Sequence, residues 1–251
     1  KIGFDIDSRD AAKLSEKTWF PFNKGGAYRK WYGNFSLVVN WENDGKQIKS
    51  NILRKYPYLK GNPDFVAKNP SFYFREGLSW SALSSSDFSL RYQPKGFIFA
   101  DKGQAMFPSP EWDYREILAI MNSKVVKLFL RALSPTLDFN VGYIEKVPVA
   151  KSIGDVALVQ ELIDLHEMDW NDHETSWGFT SVPFVHKSSI NKFLSAQYSS
   201  WVDISSARLA KARSLEEKNN SVIIEAYNLE GALSPEVSDD QITLARADRE
   251  K

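Results

Sequence analysis

No cysteine occurs among the 251 residues, which excludes disulfides, thiolate metal sites and cysteine nucleophiles and is compatible with a reducing cytoplasm. Thirteen glycines are present, yet no two are spaced as G-x-G and none belongs to a G-x-x-x-x-G-K string. Loops that cradle a nucleotide or S-adenosylmethionine need clustered glycines for close backbone approach, so the chain offers no cofactor-binding candidate. No apolar run approaches the roughly 20 residues needed to span a bilayer, and no signal-peptide pattern opens the chain. The expectation is a cytoplasmic protein without membrane association. The chain starts at Lys1 without an initiator methionine and stops on Arg249, Glu250 and Lys251, so both ends read as cuts in a longer protein.

What is present is enough apolar content, 43%, for one large domain or two modest ones. The net charge of zero conceals an asymmetry: residues 1–110 hold 17 Lys and Arg against 10 Asp and Glu, and the remainder holds 15 against 22. A basic part joined to an acidic one points to a polyanion partner for the first, because phosphate neutralisation by Lys and Arg supplies most non-specific DNA affinity.

The pattern is that of an α+β protein. Phe35–Trp41, Phe72–Phe74, Phe88–Tyr92 and Gly96–Ala100 are aromatic or β-branched and flanked by turn residues, which predicts a small, irregular β-rich unit. Ser109, Pro110 and Glu111 form a helix-start signal, and apolar residues recur at helical spacing from Ile117 until Ser134 and Pro135. A second helix is expected over Val156–Asp169. A long helical region, capped by Ser188 or Ser189, runs through Phe193, Leu209 and Ile223 to Tyr227, as one helix or two in series. The expected division is a β-rich unit with one packed helix over residues 1–150 and a helical spacer or docking region over 151–251.

Several signals carry chemistry at first sight. Asn69, Pro70, Ser71 and Phe72 resemble the Asn-Pro-Pro-Tyr/Phe string of adenine methyltransferases, but serine replaces the second proline, and the segment reads as a turn entering a strand. His166 and His173 with Glu167, Asp169, Asp172 and Glu174 fail the H-E-x-x-H register, and a solvated acidic helix end is expected there rather than a metal site. Eight tryptophans are compatible with a sugar-binding module, though their apolar neighbours favour core positions. In Lys24–Tyr32, basic residues interleave with aromatics around a Gly pair, a pattern equally compatible with DNA contact and with a surface turn.

At this run the sequence resembles the adenine-specific DNA methyltransferases of BREX phage-defence systems, the PglX family, in their C-terminal region. The string WFPFNKGGAYRKWYGNFSLVVNW (19–41) carries it, followed by FREGLSW (74–80), RYQPKGFIF (91–99), GYIEKVPV (142–149), DWNDHETSWGF (169–179) and AYNLEGALSPEVSDDQITL (226–244). LAIMNSK (118–124) and SPTLDFN (134–140) also resemble target-recognition domains of type I specificity subunits, and the family is itself similar to type IIG restriction-modification enzymes. The resemblance implies a non-catalytic fragment that recognises double-stranded DNA for an adenine-N6 methyltransferase. S-adenosylmethionine and the catalytic motif would then lie in the missing methyltransferase domain of the same protein. The residues expected at DNA are Lys24, Arg29, Lys30, Arg75, Arg91 and Lys95, with Tyr28 and Trp80 as stacking or wedge residues. No catalytic, cofactor or metal residue is expected. The rival reading is a protein-interaction module whose basic face docks other defence components or a phage-encoded DNA mimic.

Overall fold

The structure, a computed structural model, describes residues 1–84, 86–134, 136, 138–185 and 193–246. Its strands form two small sheets. The first has the order β2-β1-β5, with β1 (Trp19–Asn23) antiparallel to β2 (Leu37–Asn40) and parallel to β5 (Ile98–Phe99). Pro21 is tolerated in the central strand because β5 pairs only with Phe22 and Asn23, leaving no ladder bond for Pro21 to miss. The second sheet, β4-β3-β6, is antiparallel: β3 (Gly77–Ser81) lies between β4 (Arg91–Gln93) and β6 (Gly103–Met106). All five residues of β3 are buried.

Helices surround these sheets. α1 (Arg9–Leu14) and α2 (Glu42–Lys55) cover the first sheet, while α3 (Tyr114–Met121), α4 (Lys124–Leu133), α5 (Val141–Ile144), α6 (Val156–Asn171) and α7 (Leu194–Ala226) complete the chain. The protein is α+β, with a long helix near its C-terminal end. α7 has 33 residues, about 50 Å at the helical rise. Ala212, Leu215, Ile223 and Ile224 bury one stripe of its C-terminal half, and Asn219 Nδ2 donates to the Ala119 carbonyl at 2.9 Å. The cap expected at Ser188 or Ser189 lies outside the described residues.

Two apolar clusters result. The larger runs from Trp31 to Leu244 and draws on the second sheet and α3, α4, α6 and α7. The smaller gathers Ala12, Phe20, Trp41, Ile52, Ala67, Tyr73, Phe74 and Ile98 beneath α1 and α2.

Several expectations needed correction. The single helix expected from Ser109 to Ser134 is two helices, because Asp113 caps α3 by accepting from Arg115 N and Ser123 caps α4 by accepting from Val126 N. Phe72–Phe74 is no strand: Pro70–Phe72 is a 3₁₀ turn entered through Asn69 at φ 54°. The helix α2 had no sequence expectation; its first turn holds Asn43, Asp44 and Gly45 at positive φ, a start that helical periodicity does not register.

Candidate nucleic-acid interface

The basic, aromatic run Lys24–Tyr32 is largely an internal anchor. Gly25 has φ +79°, and a Cβ there would lie 2.7 Å from the Lys102 carbonyl oxygen, so the close backbone approach is to the protein's own chain rather than to phosphate. The loop is fixed on the second sheet: Gly26 N donates to Ser81 Oγ, which donates back to the Gly26 carbonyl, both at 2.9 Å. Trp31 then bridges beside Arg91 in parallel, with Trp31 N on the Leu90 carbonyl at 3.0 Å.

From that position three consecutive residues reach the helices. Arg29 pairs with Asp169 of α6, Lys30 pairs with Glu216 of α7, and Trp31 Nε1 donates to the other Glu216 oxygen at 2.8 Å. The C-terminal segment closes over them, with Thr243 Oγ1 accepting from Lys30 N at 3.1 Å and Asp169 Oδ1 accepting from Ala245 N at 2.8 Å. The Lys30 and Glu216 side chains are only 6% and 4% exposed, too enclosed to meet a phosphate.

Arg91 is fully buried, donating to the Arg29 carbonyl at 3.2 Å and to Ser81 Oγ at 3.3 Å. Burial, with the Arg29 charge, lowers its guanidinium to about 10. Trp80 is also enclosed, its Nε1 donating to the Phe139 carbonyl at 2.7 Å. Lys30, Arg91 and Trp80, expected at DNA, thus lie in the interior rather than at the surface. Each faces the interior, where an uncompensated polar or charged group is costly: Lys30 has Glu216 and Trp80 the Phe139 carbonyl, while Arg91 has only neutral acceptors and a buried Nε without a partner among the described residues. Tyr28 and Arg29 are half-buried beside them.

The acidic cluster is corrected in the same sense. His166 and Asp169 are buried rather than solvated, Asp172 pairs with Arg208, and His173 Nδ1 contacts the Asp169 carbonyl at 2.7 Å. Burial holds the His166 imidazole down to about 3, helped by Arg29 and Lys30, against the opposing Leu162 carbonyl hydrogen bond. Among the described residues no three His, Cys, Asp or Glu side chains are placed to hold a metal ion.

Lys24, Arg75 and Lys95 are exposed. Lys24 precedes Gly25 and so lies by the 101–104 turn. Arg75 lies over the Phe72 and Phe107 rings at 5.0 and 5.8 Å. Lys95 borders a different cavity, of about 180 Å³, beside Phe4, Trp170 and Trp177.

Arg75 belongs to a surface that sequence reasoning missed. Between α2 and β3 the chain makes three 3₁₀ turns, Pro57–Leu59, Pro63–Phe65 and Pro70–Phe72, each opened by a proline whose fixed φ suits a first helical position. They set Tyr58 and Phe65 outward, 70% and 63% exposed. Residues 54–75 contain Arg54, Lys55, Lys60, Lys68 and Arg75 against one acid, Asp64. The turns wall a groove of about 560 Å³ whose opposite side is Phe99, Asp101 and Gln104. An aromatic ladder ties this groove to the smaller core: Trp41 contacts Tyr73 at 5.2 Å, Tyr73 contacts Phe99 at 5.1 Å, and Phe99 contacts Phe107 at 5.6 Å. The readable signal was three prolines, each two residues before Leu59, Phe65 or Phe72, among five cations and one acid.

With this geometry in place, comparison with known proteins is informative. The sequence matches no protein-family model. It is 39% identical over 237 residues to the adenine-specific methyltransferase PglX of Lacticaseibacillus casei (strain Zhang), covering 92% of this chain. It is 34% identical over 223 residues to the adenine-specific methyltransferase BrxX of Escherichia coli O9:H4 (strain HS), covering 88% of it. The chain is related to one part of these methyltransferases. It spans only 19% and 17% of their lengths. The strings quoted above lie in a chain aligned nearly end to end, so the resemblance is not confined to a motif.

Proposed function

We propose that this chain is the DNA target-recognition segment of a BREX-type adenine-specific methyltransferase. In this reading residues 1–150 present a surface to double-stranded DNA, and residues 151–251 support it and dock the methyltransferase domain of the same protein. The observation that carries the reading is the surface of residues 54–75, where five cations face one acid and exposed aromatic rings stand among them. Cations neutralise phosphate and rings stack on or wedge between bases, whereas a protein-docking patch is ordinarily depleted of lysine.

Adenine-N6 methylation and S-adenosylmethionine belong to the remainder of such an enzyme. This chain does not fit the cofactor: it has no G-x-G spacing, and Asn69-Pro70-Ser71-Phe72 is a 3₁₀ turn at the groove rim. No step of methyl transfer is assigned to its residues.

The test is retention of duplexes from a random pool at two salt concentrations, followed by sequencing. Salt-sensitive retention with an enriched motif is the expected result. Absence of retention at low salt rejects the reading.

A further inference from the structure

Phosphate contact alone needs no concavity, yet the exposed rings here wall one. The groove beside the three turns measures about 560 Å³, within the roughly 300–1,000 Å³ typical of sites for small organic groups. Its aromatic wall is Tyr56, Tyr58, Phe65 and Phe99, and Asn69, Asp101 and Gln104 supply polar groups. Gln104 Oε1 is buried there with no hydrogen-bond partner among the described residues.

One cation and one carboxylate, Lys68 and Asp101, line the groove, and two further lysines flank its first turn. Lys55 Nζ lies 5.4 Å from the Tyr56 ring, and Lys60 follows the first turn in left-handed conformation at φ 48°. Proline-opened turns restrict the backbone that carries the rings, so less ordering accompanies binding.

We propose that this groove receives a single unstacked nucleobase, whose neighbouring phosphates lie against Lys55, Lys60 and Lys68. Flat rings, amide groups able to meet a base edge and neighbouring lysines are the three features that bind unstacked nucleic acid without requiring a paired partner. A paired base inside a duplex cannot enter a concave site, so the groove distinguishes displaced from stacked bases. The inference rests on the DNA-binding reading above and adds a ligand class and a place.

The test compares the 251-residue chain on three duplexes of one sequence: fully paired, with one extrahelical adenosine, and with an abasic residue in place of that adenosine. A base on an aromatic surface contributes about 1–3 kcal/mol, about 5- to 150-fold in affinity. The adenosine bulge is therefore expected to bind at least fivefold tighter than either other duplex. Tyr58→Ala with Phe65→Ala, both at exposed positions, should abolish that preference, so that the variant binds the three duplexes alike. Equal affinity for all three duplexes overturns the groove proposal and leaves DNA recognition standing. Failure to bind any of them overturns both. A bulge preference that survives the double substitution places the base elsewhere and also overturns the proposal.

Discussion

Lys30 and Glu216, 186 residues apart, form an ion pair in the interior, and Glu216 also accepts a hydrogen bond from Trp31 Nε1 at 2.8 Å. The pair joins the loop beside the second sheet to α7. With Arg29 and Asp169, it makes the basic run of the sequence a clamp between the sheet and the helices.

Removing one partner of a buried pair leaves the other uncompensated. Glu216→Ala is expected to lower stability by about 3–5 kcal/mol. The double change Lys30→Met, Glu216→Leu should recover much of that loss, since apolar replacement of both partners removes the desolvation penalty. Urea denaturation of the three proteins, followed by tryptophan fluorescence, measures it. Equal destabilisation of the single and double variants would show that the pair is not the source.

His166 ties stability to pH. Its folded value is held down to about 3 by burial, while an unfolded histidine titrates near about 6.5. The stability it contributes is present above about 6.5 and is lost as pH falls towards about 3, because the unfolded chain then binds the extra proton. Between pH 7 and pH 5 this amounts to about 2 kcal/mol. His166→Leu should abolish that part of the pH dependence, read as the difference between the two proteins' urea midpoints at each pH.

Trp80 is expected to matter through its indole N–H rather than through DNA. Trp80→Phe retains most of the ring but leaves the buried Phe139 carbonyl without its donor, at a cost of about 1–3 kcal/mol. A thermal melt measures the loss, and an unchanged melting temperature would argue that water replaces the indole.

Gly25→Ala places a Cβ 2.7 Å from a backbone carbonyl at a φ of +79°. Left-handed backbone alone costs a non-glycine residue about 1–2 kcal/mol, so the variant should be less stable by at least that amount. Denaturant midpoints decide, and a neutral substitution would show that the loop can move away from the 101–104 turn.

The parts legible in the sequence were those with strong local signals. The helix expected over Val156–Asp169 is α6, and α7 followed from the apolar spacing through Leu209, Leu215 and Ile223. The break at Asn122–Ser123 was hidden because the apolar spacing continues across it. The β-rich character was readable, but Phe72–Phe74 is no strand because the turn opened by Pro70 overrides its β-propensity. Among the residues expected at DNA, charge alone misled. Lys30 and Arg91 carry the right chemistry, but their partners are Glu216 and Ser81, far away in sequence or on a neighbouring strand. Tyr58 and Phe65 were overlooked because a ring in a proline-rich turn reads as loop, and only the fold shows that both stand exposed beside lysines.

The most direct measurement is the salt dependence of duplex binding by this chain and by a Lys55→Ala, Lys60→Ala, Lys68→Ala variant. Each phosphate contact removed should reduce the slope of log affinity against log salt by about one. The expected result is weaker binding on all sequences, a slope smaller by about three, and an unchanged melting temperature. Equal affinity and slope for the two proteins would contradict the claim that residues 54–75 face DNA.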